Sequence, residues 1–239
     1  MATVAAGVAA TGMIATPLAR RGGTWRQRWA SLVVGGLAAT TKALAARRWG
    51  TSRAAAAASV VVGCALAVER AGTATGVPFG RYRYTGLLRP TVVGVPAVVP
   101  LAWWAMGLPA REVAHAALGR RTTPALRTAV GAVALTAWDL FLDPQMTAER
   151  YWRWERPGSY RGIPLSNYAG WLMTSAGMMV VLERLLPPSR PDRFLVGEYA
   201  AMGVMETVGF ALFFRDRTVA LVGAAGMLPL ALIALARRG

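Results

Sequence analysis

The chain has 239 residues, 55% of them hydrophobic, and a mean hydropathy of +0.39. Soluble domains are about 45–50% apolar even with glycine counted; here 26 glycines lie outside the 55%, an excess that water penalises and a bilayer accepts. The formal net charge is +16, but the arginines stand in small groups between apolar runs, which suits anionic lipid head groups and excludes nucleic acid as the expected partner.

Apolar runs in chain order cover residues 2–19, 29–46, 54–68, 91–107, 125–142, 166–186, 194–214 and 218–236. At about 20 residues per span they use roughly two thirds of the chain. The expected fold is therefore all-α, an integral membrane bundle of about seven or eight transmembrane helices forming a single polytopic domain over residues 1–239. Residues 1–19 have no basic stretch before them, so they count as a first span rather than a cleavable signal. Arg20, Arg21, Arg26 and Arg28, then Arg47, Arg48 and Arg53, then Arg120 and Arg121, and finally Arg237 and Arg238 flank the spans, while Trp25, Trp29 and Trp49 sit where an interfacial aromatic belt belongs. Pro96 and Pro100 predict a kink in the fourth run. The expected location is the inner (plasma) membrane, multi-pass, with the slightly more basic odd-numbered loops in the cytoplasm.

One cysteine and one histidine leave no disulfide and no His/Cys zinc site. Cys64, inside an Ala/Val run, is expected in the core, and His115, in a polar connection, at the solvated surface.

Two connections stand apart. Residues 69–90 read ERAGTATGVPFGRYRYTGLLRP and residues 143–165 read DPQMTAERYWRWERPGSYRGIPL. Their Gly, Pro, Tyr and Arg content is that of ordered turns. Both are odd-numbered, so both lie on one membrane face whichever way the chain is oriented.

Ionisable groups within spans are costly and mark function by default. Glu69 ends the third run, and Asp139 and Asp143 end the fifth, all on the side of the two long connections. Glu206 lies about 12 Å along its helix from Arg215 on that same side. Four carboxyls from three helices can thus converge on one end of the bundle. Glu183, beside Arg184, is expected in an interfacial ion pair; Glu198 either extends the polar interior or bonds a neighbouring helix. Asp139 and Asp143 are one helical turn apart, so in a poorly solvated place one of them holds its proton, the arrangement that general acid–base chemistry uses. The bland alternative is that Asp139 or Asp143 caps a helix or pairs with Arg150 or Arg153. The D-x-x-x-D spacing also fits a magnesium-dependent membrane prenyltransferase, although that chemistry needs a second such motif and none exists. Tyr82, Tyr84, Trp138, Tyr151, Trp152, Trp154, Tyr160, Tyr168 and Trp171 cluster with the acids along the sequence; aromatic faces can stabilise a carbocation or anchor the interface.

The stretches ERAGTATGVPFGRYRYTGLLRP, GVPAVVPLAWWAMG, AWDLFLDPQM and YRGIPLSNYAGW, spread over residues 69–171, resemble the carotenoid biosynthesis family of membrane proteins that contains the CruF-type carotenoid hydratases, bisanhydrobacterioruberin hydratases among them. The resemblance implies a lyase that adds water across the terminal double bond of an acyclic ψ end group, with a membrane-dissolved carotenoid and water as reactants. It implies no redox cofactor and no metal. In such a reaction Asp143 or Asp139 donates the proton and Glu69 or Glu206 polarises water. Tyr82, Tyr84 and Asn167 orient the water or bear on the acid. Trp138 and Trp171 shield the cation, and Tyr168, Trp104 and Phe79 line the polyene. Association with other carotenoid-pathway enzymes, a non-catalytic carotenoid-binding or scaffold role, and a proton-coupled transporter stay open as alternatives; the one-sided polar cluster and the lack of repeats count against the transporter.

Overall fold

Apolar segments in hydrocarbon must satisfy their backbone hydrogen bonds internally, and the computed structural model shows them doing so as helices. It describes residues 2–119 and 122–237; Met1 and the flanking Arg120, Arg121 and Arg238 lie outside the described residues. The helices are α1 (Ala2–Leu18), α2 (Thr24–Trp49), α3 (Thr51–Thr75), α4 (Val98–Leu118), α5 (Pro124–Ala148), α6 (Leu165–Leu185), α7 (Arg193–Leu212) and α8 (Arg217–Ala236). Of these, α2, α3, α5, α7 and α8 are long and apolar enough to cross a membrane. Large apolar side chains remain exposed along them, Leu221 at 72% and Leu212 at 66% for example, as lipid-facing positions require. The chain is an all-α membrane bundle. Its short strands, β1 (Tyr82–Tyr84), β2 (Thr91–Val92), β3 (Val95–Pro96) and β4 (Trp152–Trp154), form two-stranded ribbons, β1 with β4 and β2 with β3.

The described chain falls into two compact units: Met1–Ala105 with Gln145–Gly170, and Met106–Pro144 with Trp171–Gly239. In the first, α1 packs along α2 and α2 against α3. Arg26 ties the α1–α2 turn down, donating to the carbonyls of Thr16 and Ala19 and, through Nε and Nη2, to both oxygens of buried Glu149 at 2.8 and 2.7 Å. In the second unit, α7 packs along α8, and Phe141 of α5 stacks on Phe210 of α7 with ring centroids 5.8 Å apart.

Several expectations change. The fourth run is not helical at its start. Residues 91–96 are the β2–β3 hairpin, because Val93 (φ 46°) and Gly94 (φ 86°) take the paired positive φ angles of a tight two-residue turn. Pro100 then falls in the first turn of α4, where its missing N–H is harmless. That helix continues past Gly107, so His115 is not at the surface. It is buried and bonded to Glu183. Helix α5 runs through Pro144 to Ala148, so Asp143 lies within the helix rather than at its end. Cys64 is exposed rather than in the core. The buried stripe of α3 is Ala54, Ala57, Val61, Ala65, Glu69 and Gly72, and Cys64 sits about 100° off it.

Candidate functional site

Glu69 belongs to that buried stripe, a carboxyl on a helix face otherwise made of alanine, valine and glycine. Three neutral donors converge on it. The Tyr82 and Tyr84 hydroxyls both donate to Oε2, at 2.5 and 2.7 Å, and the Trp103 indole N–H donates to Oε1 at 3.2 Å. Glu69, Tyr82 and Trp103 are buried, and Tyr84 is half-buried. Burial pushes the Tyr84 phenol well above its ordinary value, and the neighbouring Glu69 charge adds to the rise. The phenol therefore stays a donor at neutral pH.

The two long connections build this cradle together. Pairing β1 with β4 sets Tyr82 opposite Trp154, Arg83 opposite Arg153 and Tyr84 opposite Trp152. Side chains alternate along a strand, so the two tyrosines and two tryptophans share the inner face while the arginines point outward. Tyr82 lies 5.1 Å from Trp154 and Tyr84 lies 5.9 Å from Trp152, centroid to centroid. The ribbon is pinned at both ends, by Thr85 N–H to the Tyr151 carbonyl (3.0 Å) and by Glu155 N–H to the Arg81 carbonyl (2.9 Å). Tyr151 packs beside the Arg26–Glu149 pair; burial, then the Glu149 charge, lifts its phenol to about 12 against an opposing pull from Arg26. Gly72, three residues beyond Glu69, leaves the space that the tyrosine needs. A Cβ there would lie 2.9 Å from the Phe79 ring and 3.1 Å from the Tyr82 hydroxyl.

Other residues singled out from the sequence fall around this group or away from it. Phe79 is buried, edge-on to Tyr82 at 6.3 Å, and its carbonyl accepts from Ser166 at 3.3 Å. Asn167 is buried on the first turn of α6, and the next residue, Tyr168, packs edge-on to Tyr160 at 5.9 Å. Trp104 faces another way, its indole donating to the Ala38 carbonyl of α2 at 3.2 Å. Its neighbour Trp103, which sequence reasoning did not select, is the one that reaches Glu69.

Asp139, Asp143 and Glu206 belong to the second unit. The two aspartates are fully or nearly fully buried, one turn apart on α5. Thr136 continues their stripe and lies 3.5 Å from the Ser175 hydroxyl of α6. Trp138 and Trp171 meet edge-on at 6.2 Å, and the Trp138 indole N–H is buried with no hydrogen-bond partner among the described residues. Glu206 is half-buried one turn before Phe210, on the helix that meets the Phe141 side of α5, roughly opposite the aspartate stripe. Glu183 is ion-paired with Arg111 (2.8 Å) rather than with Arg184, and it also bonds to the His115 ring. Among the described residues, no three His, Cys, Asp or Glu side chains are grouped as metal ligands.

Fold and site define a class: a polytopic helical membrane protein with a buried carboxyl held by two phenols of an ordered ribbon and by an indole of α4. The chain belongs to the carotenoid biosynthesis protein family, whose model matches residues 27–236. It is similar to the bisanhydrobacterioruberin hydratase of Haloarcula japonica, 34% identical over 120 residues; the match covers 48% of this chain and 40% of that protein. No solved structure gives a significant match.

Proposed function

We propose that the protein is a cofactor-independent carotenoid hydratase of the inner membrane, acting on the acyclic ψ end group of a membrane-dissolved carotenoid. The observation that carries this is the Glu69 cradle, set within a chain of the carotenoid biosynthesis family that is similar to a hydratase. Three neutral donors orient this carboxyl, and no cation meets it among the described residues. So held, it can polarise a water molecule or face a developing cation. The reaction needs little else. A carboxylic acid, Asp143 or Asp139, protonates the less substituted alkene carbon and leaves a tertiary cation. Water forms the new C–O bond as its proton passes to a carboxylate, Glu69 or, in its place, Glu206. The sum is one water added and no electrons transferred. Tyr82, Tyr84 and Asn167 orient the water or the acid. Trp138 and Trp171 offer ring faces to the cation, and Phe79, Trp104 and Tyr168 line the polyene.

Expression in a lycopene-producing bacterium tests the proposal. The expected product is a more polar pigment heavier by one or two waters, absent when Glu69→Gln is expressed at the same level. Unchanged lycopene with well-expressed parent protein would overturn this substrate class.

A further inference from the structure

The outer face of the β1–β4 ribbon carries a charge problem that the fold leaves unsolved. Arg83 and Arg153 are directly opposite each other in register, and both are exposed. Like charges at such a position destabilise a strand pair. Neither guanidinium has a hydrogen bond or ion pair among the described residues. Around them, Arg81 and Arg89 on the first connection and Arg150 and Arg156 on the second are also exposed. The acids of these connections give little relief, since Glu69, Asp143 and Glu149 are buried, which leaves exposed Glu155.

We propose that the Arg83–Arg153 pair is a binding site for the phosphate of an anionic phospholipid. Position favours a lipid over a soluble anion. The ribbon stands where α3 ends at Thr75 and α5 ends at Ala148, both helices apolar enough to span, so it lies at head-group depth. Beside it, Val77 is 67% exposed and Leu165 69% exposed. Apolar side chains next to arginines match the boundary between acyl chain and phosphate, and a free anion has no use for them. Two guanidiniums across a ribbon can each donate to one phosphate group, turning a repulsive pair into a clamp across the two strands. The same strands carry Tyr82, Tyr84, Trp152 and Trp154 on the other face. Lipid binding here stands independently of the hydratase reading.

Native mass spectrometry of the full chain, titrated with phosphatidylglycerol or phosphatidylcholine, tests the site without any activity readout. Each arginine near an anionic surface contributes roughly fivefold to binding. Arg83→Gln with Arg153→Gln should therefore weaken phosphatidylglycerol retention about thirtyfold. Equal charge loss at exposed Arg47 and Arg53, beside the α2–α3 turn and so at the far end of α3 from the ribbon, should change retention at this site less than about threefold. Arg83→Lys with Arg153→Lys keeps the charges and should hold the lipid within about fivefold, which separates lost charge from lost fold. Equal retention of both lipids, parental retention by the glutamine pair, or loss in the lysine pair as severe as in the glutamine pair would overturn the site. Inorganic phosphate displacing phosphatidylglycerol at equal concentration would overturn the assignment to lipid.

Discussion

Two buried polar groups in this molecule solve the same problem in opposite ways. In the first unit, Glu69 receives the hydroxyls of Tyr82 and Tyr84 and the indole of Trp103. In the second, Arg111 binds Glu112 and Glu183 at 2.8 Å each and the Leu186 carbonyl at 2.9 Å. His115 adds to Glu183, and Glu112 accepts the Asp192 N–H at 2.8 Å. In the second group the carboxylates meet a guanidinium and hold the α6–α7 turn against α4. In the first, neutral donors orient the carboxyl and no cation meets it among the described residues. A buried carboxyl without a counter-ion is costly, so keeping one fits a chemical task, whereas the ion-paired network fits a structural one.

Substitution should separate the two groups by readout. Glu69→Gln keeps the size of the side chain, and its amide oxygen can still accept from the two tyrosines, but its NH2 then faces the Trp103 N–H, donor against donor. Hydration should fall by about a hundredfold to ten-thousandfold with little change in melting temperature. Of Asp139→Asn and Asp143→Asn, the one that removes the proton donor should cost at least about a hundredfold. Near-parental turnover in all three would reassign the chemistry to Glu206. Arg111→Met should do the reverse. It leaves Glu112 and Glu183 uncompensated and should destabilise the protein by about 3–5 kcal/mol, while turnover per folded molecule stays the same. Loss of turnover without loss of stability in that variant would erase the contrast.

Smaller changes sharpen it. Tyr84→Phe removes one donor from a charged acceptor, worth about 1.5–3 kcal/mol, so turnover should drop roughly ten- to a hundredfold. The Tyr84 phenol should ionise above its ordinary value of 10.0, as ultraviolet titration would show. Glu69→Gln should lower that ionisation only in part, because burial is the larger cause and remains. The sign for stability follows. The folded phenol holds its proton more tightly than the unfolded one, so this contribution is complete below about pH 10 and is lost as pH rises toward the folded value.

The sequence exposed Glu69, Tyr82 and Tyr84 because a carboxyl at the end of an apolar run is conspicuous and its partners are thirteen and fifteen residues away in one ordered connection. Trp103 was not legible. Adjacent residues on a helix point about 100° apart, and nothing local says which of Trp103 and Trp104 faces α3. The β1–β4 pairing was equally hidden, since three-residue strands seventy positions apart carry no periodic signal. Membrane spans were readable to within a few residues where composition alone decides, as in α7 and α8. They failed where tertiary partners decide. Arg111, Glu112 and His115 look like the polar edge of a span and are instead buried in one another's company, and Pro144 looks like a helix end and is not.

The central claim is that carboxyls add water to an alkene, so the origin of the product's oxygen tests it most directly. Substrate incubated with the purified protein without air, in water enriched in heavy oxygen, should give an alcohol whose mass has risen by the heavy isotope. In deuterated water one deuterium should appear on the carbon next to the new C–O bond. Product that forms only in air, or that carries only ordinary oxygen, would contradict hydration and remove the roles given to Glu69, Asp139, Asp143 and Glu206.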